Sequence, residues 1–139
     1  MTGLAPWLVA ASAAILLSLG LMHLLYTFRG PKLHPRDPAL EEAMKQGHPV
    51  LTRRTTMWKA WVGFNASHSM GAILYGLVYG YLALTHQAML FASPFLLGTG
   101  LVLLIGYVLV GKRYWFSAPN SGIFAATALY VAALIVAFF

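Results

Sequence analysis

The sequence predicts an all-α polytopic membrane protein, a bundle of four transmembrane helices with one short amphipathic helix in its first loop. Three observations predict it. The 139 residues are 60% hydrophobic and 9% charged, whereas a soluble domain carries about 25% charged residues. Every Lys, Arg, Asp and Glu lies between Arg29 and Lys59 or at Lys112 and Arg113. The uncharged stretches that remain (1–28, 60–111 and 114–139) are each long enough for a span of about 20 residues. The middle one is broken by Thr85-His86-Gln87 and Ser93-Pro94 and reads as two spans. The expected spans are therefore about 4–28, 57–84, 90–111 and 117–139, in a single membrane domain covering 1–139 with a loop over 29–56.

The first span carries Trp7 near one end and Tyr26 and Phe28 near the other, residue types that favour the headgroup level. No basic segment precedes it and it exceeds a signal-peptide core, so it reads as a retained helix. Gly30-Pro31 ends it, because proline lacks the amide donor and clashes with a continuing helix. In the loop, Asp37-Pro38 followed by Glu41 and Glu42 reads as an N-cap with Pro at the first helical position. A short helix over 38–46 follows, ends at Gly47, and lies on the membrane surface through Leu40 and Met44. Thr52 is in place to cap the second span, whose first turns hold Trp58, Lys59 and Trp61 at the interface with Lys59 snorkelling. The third span begins at or before Ser93-Pro94. The fourth begins near Pro119, after an aromatic cluster at Tyr114, Trp115 and Phe116.

The positive charge lies on the first and third loops. The positive-inside rule then places 29–56 and 111–117 in the cytoplasm and both termini outside. The net charge of +6 is accounted for by anionic lipid headgroups, not nucleic acid. Absence of cysteine excludes disulfides and thiol chemistry. No Asp or Glu lies in any span, which argues against carboxylate-driven proton exchange and against a metal site in the membrane. No glycine-rich phosphate loop is present.

The few polar residues inside the spans are the seats left for chemistry. Trp58, Trp61, Asn65, His68, Ala72, Tyr75 and Tyr79 recur at steps of three and four and form one stripe on the second span. An unpaired His or Asn is costly in hydrocarbon, so this stripe faces protein or a cavity. His23 lies about 9 Å in from Arg29, and His68 about 13 Å in from Lys59, at helical rise. Tyr107 and Asn120 lie close to Lys112 and Arg113 in sequence. His23, Trp61, Asn65, His68, Tyr107 and Asn120 are thus the expected ligand-binding residues, in the cytoplasmic half of the bundle. The competing reading is helix association, since such hydrogen bonds join membrane helices at about 0.6 kcal/mol each. Gly76 and Gly80 form a GxxxG, read as intramolecular packing. His34, His48 and His86 read as solvated loop residues.

Residues 52–71, Thr52-Arg-Arg-Thr-Thr-Met-Trp-Lys-Ala-Trp-Val-Gly-Phe-Asn-Ala-Ser-His-Ser-Met-Gly71, resemble a segment of small four-helix bacterial inner-membrane proteins. That resemblance implies an inner-membrane location and brings no activity with it. The helix order, Arg54, Thr55 and Trp58, and the run Ala118-Pro-Asn-Ser-Gly122 are also similar to the ergosterol-biosynthesis scaffold proteins. That likeness implies partner binding rather than catalysis.

The sequence reading is an accessory protein holding an apolar ligand, cofactor or partner at a His/Asn/Trp pocket. The partners it implies are membrane lipids, a hydrophobic small molecule, a second copy or a membrane subunit. The alternatives are a membrane enzyme acting on a lipid or isoprenoid with His68 as acid/base, and a small transporter or channel. No catalytic residue is assigned, and no cofactor is named. Two imidazoles on facing helices could ligate haem or a transition metal, but a haem motif needs more than two unplaced histidines, and a Soret band tests for it.

Overall fold

The computed structural model describes residues 3–139. Among them only helices occur: α1 (Leu4–Phe28), α2 (Pro38–Gln46), α3 (Met57–Thr85), α4 (Gln87–Ala92), α5 (Pro94–Tyr114) and α6 (Ser117–Phe138). Met1 and Thr2, and with them the first terminus of the expected topology, lie outside the described residues. Three helices, α1, α5 and α6, are long and apolar enough to cross a membrane. In their apolar windows only 28%, 22% and 22% of residues are buried, so most of their apolar side chains need a non-aqueous solvent. This is the signature of a membrane protein. The sequence reading has a fourth span at α3. Its 29 residues reach about 43 Å, but Asn65, Ser67, His68, Ser69 and interspersed Gly and Tyr dilute its apolarity and leave it outside that set.

The helix ends differ from expectation in three places, each with a local cause. α3 starts at Met57 as its span predicts, but its cap is not Thr52. Thr56 Oγ1 accepts from Lys59 N at 3.3 Å, while Thr52 Oγ1 caps a turn by accepting from Arg54 N. The expected third span is interrupted. α4 ends at Ala92, and Ser93 then accepts from Leu96 N to cap α5, with Pro94 at its first position. At the other end α5 runs on to Tyr114, because Lys112 and Arg113 sit in its last turn, where cations favour the negative end of the helix dipole.

The chain divides into two compact units. The first comprises residues 3–19 and Ala72–Phe139. Within it Ser12 meets Tyr75 at 3.2 Å, and Gly76 lies against Ala13 and Leu17. α1 and α3 are therefore antiparallel there. α5 and α6 form an antiparallel hairpin through Trp115 and Phe116, with Gly100 against Tyr130 and Gly111 against Asn120. The core is Val9, Ala13, Leu16, Tyr75, Tyr79, Leu90, Leu104, Ala126, Tyr130 and Ala133.

The second unit is Gly20–Gly71. α1 stops where Gly30 takes φ +79, a left-handed conformation natural to glycine after a helix. Asp37 accepts from Ala39 N and Pro38 opens α2, as the sequence predicts. Glu41 anchors this short helix by bonding Lys45 and His34. The Lys45 ammonium first, and the His34 imidazole second, hold the Glu41 carboxyl below its usual value. A carboxyl lowered on folding adds stability above its unfolded pKa, about 4.3. That contribution is lost as pH falls through the lower folded value. Lys45→Ala should raise the Glu41 pKa in an NMR titration. An unchanged midpoint would show that the pair does not form in solution.

Candidate functional site

Within the Gly20–Gly71 unit, α1 and α3 bring together three of the six expected residues. Asn65 and His68 are three apart on α3 and share a face, and His23 of α1 meets both. His23 Nε2 lies 3.0 Å from Asn65 Oδ1. The Asn65 amide nitrogen donates to Trp61 O at 2.9 Å, which fixes the carboxamide with its oxygen toward His23. Nε2 of His23 therefore carries a proton and donates. His68 stands edge-on to His23, with ring centroids 5.1 Å apart at 81°. On its other side it runs nearly parallel to Phe64, at 6.5 Å.

The surroundings hold this arrangement in place. Ser69 Oγ donates to Asn65 O at 2.9 Å, and Thr27 Oγ1 donates to His23 O at 2.8 Å. Trp61, the fourth expected residue, is exposed over its outer face. Its indole N–H donates to Leu33 O at 2.9 Å and ties the first loop to α3. Asn65 is buried, and its carboxamide uses both ends. Beside it Thr27, Leu33, His34, Trp58, Trp61, Val62 and Asn65 enclose about 10 Å³, room for one water at most. The two imidazoles touch directly and Nε2 of His23 is already engaged, so this ring arrangement does not fit a bis-histidine haem, which needs a porphyrin between its ligands.

Tyr107 and Asn120 belong to the other unit. Asn120 carries its carboxamide into the notch left by Gly111, where a Cβ would come within 2.5 Å of Oδ1. That oxygen is buried and has no hydrogen-bond partner among the described residues. Tyr107 is half-buried with its ring 6.1 Å from that of Trp115.

The loop histidines are exposed as expected but not merely solvated. His34 bonds Glu41 and packs edge-on to Trp58 at 4.8 Å. His48 Nδ1 donates to Thr55 O at 2.7 Å, and His86 bonds the Tyr81 hydroxyl. Each lies within seven residues of its hydrogen-bonding partner, a distance at which a loop can fold back on itself.

No family model, curated protein or solved structure matches the chain. The likenesses carried by residues 52–71 and 118–122 therefore bring no fold or activity with them, and the function has to be argued from the side chains.

Sequence reasoning put Tyr75 and Tyr79 on the α3 stripe but missed Tyr130, which joins them in a tyrosine network of the first unit. Tyr79 donates to Leu96 O at 2.7 Å and Tyr130 to Leu97 O at 3.0 Å. Tyr75 stacks on Tyr79 at 4.6 Å. Tyr130, to which the sequence reading assigned no role, is wholly buried. The available signal was Gly100, which opens space on α5 for the two rings. An open groove runs along one face of α5 past Phe95, Gly98, Thr99 and Val102. Its single hydroxyl offers little to orient a ligand.

Proposed function

We propose that this chain is a small accessory protein of a bacterial inner membrane that binds an apolar ligand or partner. It crosses the membrane four times, at α1, α3, α5 and α6, with both termini outside and loops 29–56 and 111–117 in the cytoplasm. The charge distribution supports that topology. The hydrogen-bonded pair His23–Asn65, with His68 set edge-on beside it, carries the binding reading. Ionisable side chains such as His23 and His68 are rare inside apolar helices and mark functional sites by default. Phe64 is exposed beside these rings, so an apolar face adjoins polar groups, the combination that orients the hydroxyl or carbonyl of an otherwise apolar molecule.

The test is Asn65→Ala and His68→Ala, purified in mild detergent. Removing an interhelical hydrogen bond costs about 0.6 kcal/mol on average in membranes, so both variants should keep their helical circular dichroism. Native mass spectrometry should find a small molecule or subunit on the wild type and lose it from both variants. Variants that unfold would reduce the cluster to a device for joining helices. Turnover of a lipid substrate that disappears with His68→Ala would replace binding by catalysis.

A further inference from the structure

The segment between α2 and α3 is a closed, hydrogen-bonded loop with an apolar tip. Met57 N donates to Gly47 O at 2.9 Å, His48 Nδ1 donates to Thr55 O at 2.7 Å, and Thr52 N donates to Pro49 O at 3.2 Å. The last of these makes a turn with Val50 and Leu51 at its two central positions. Both side chains are fully exposed, so the loop spends its hydrogen bonds on displaying two aliphatic groups rather than burying them. Arg53 and Arg54 follow directly. The only acidic residues of the chain, Asp37, Glu41 and Glu42, lie elsewhere, and Glu41 is already engaged by Lys45 and His34.

We propose that the Val50–Leu51 tip is a wedge that inserts among the acyl chains of an anionic lipid leaflet, with Arg53 and Arg54 held at the headgroups. Apolar groups that protrude beside cations match the depth order of a leaflet, acyl chains below and phosphates above. The tip is pre-formed, so insertion orders little further chain. The membrane-embedded reading underlies this proposal, and the experiment separates the two.

The chain has no cysteine, so a single nitroxide can be placed at will. Val50→Cys carries it at the tip and Val102→Cys on the outward face of α5. Both proteins are reconstituted in vesicles of phosphatidylcholine alone, or of phosphatidylcholine and phosphatidylglycerol in equal parts. Collisions with oxygen, which partitions into lipid, and with a water-soluble nickel chelate are then compared. The expected result is a lipid-buried probe at position 50 only in the anionic vesicles. Arg53→Gln with Arg54→Gln should lower its partition by roughly 30-fold, about fivefold for each basic residue. A probe at 50 that stays in water in both vesicles overturns the wedge while position 102 still reports lipid. Equal burial in both vesicles overturns the selection for anionic lipid. Shielding that appears only after a membrane-protein extract is added assigns the tip to a protein and also overturns the proposal. Position 102 in water would instead overturn the membrane reading itself.

Discussion

Gly76→Ala should destabilise the protein by about 3 kcal/mol, the upper end of what overpacking costs. A Cβ at Gly76 would lie 2.5 Å from Leu17 Cβ, 2.8 Å from Ala13 O and 2.9 Å from Leu17 Cα. Two of the three obstacles belong to the α1 backbone, so no rotamer change relieves them and the helices must separate. Ser12 would then move away from Tyr75, since the two are the residues next to Ala13 and Gly76. Other glycines of this chain supply the controls. Gly80→Ala meets only Ala13 Cβ at 3.6 Å, and Gly98→Ala meets nothing within 4 Å. The latter should be neutral or mildly stabilising, since alanine is the better helix former by about 0.5–1 kcal/mol. Unfolding by graded denaturing detergent, followed by circular dichroism, ranks the three. Equal midpoints for Gly76→Ala and Gly98→Ala would mean that α1 and α3 do not approach as described.

Gly100→Ala is the second large expected loss, about 2–3 kcal/mol. Its Cβ would meet Tyr130 Oη at 2.5 Å, Tyr79 Cε1 at 2.7 Å and Tyr130 Cζ at 2.9 Å. These are side chains, but they are not free to swing. Each ring is anchored through its hydroxyl, Tyr79 to Leu96 O and Tyr130 to Leu97 O. Tyr130→Phe alone should cost about 1 kcal/mol for its hydrogen bond. In the double variant the nearest obstacle is gone, so the combined loss should fall short of the sum by on the order of 1 kcal/mol. Additive losses in the same detergent titration would show that the hydroxyl is not what fills the Gly100 notch.

Much of the architecture is legible in one dimension. The charge map marks the helix ends, and the α2 helix is readable to the residue from Asp37-Pro38 and Gly47. The stripe on α3 is real as a buried line through Asn65, Ala72, Tyr75 and Tyr79, although Ser69 proves more buried than its neighbour His68. His23 was placed near His68 by depth alone, and the two rings touch. The misses have a common character. Thr52 reads as the cap of α3, yet its hydroxyl serves the turn before the helix and Thr56 accepts from Lys59 N in its place. Trp7 reads as an interface aromatic and is exposed, whereas Tyr130, which drew no reading from its sequence position, is wholly buried. Val50 and Leu51 read as connector residues because exposure is not a property of residue type.

The sequence alone determined what each segment must avoid. Charges avoid hydrocarbon, proline avoids helix interiors and apolar runs avoid water, and these penalties depend on residue type and order. Only the tertiary structure decided which polar group meets which. A hydrogen bond needs its atoms about 3 Å apart and aligned, and that depends on the rotation of each helix about its axis. Small changes of rotation preserve the apolar pattern while changing the polar partners. Glycine contacts set that rotation here, Gly76 against α1 and Gly100 against two tyrosines, and so decided the polar partners around them.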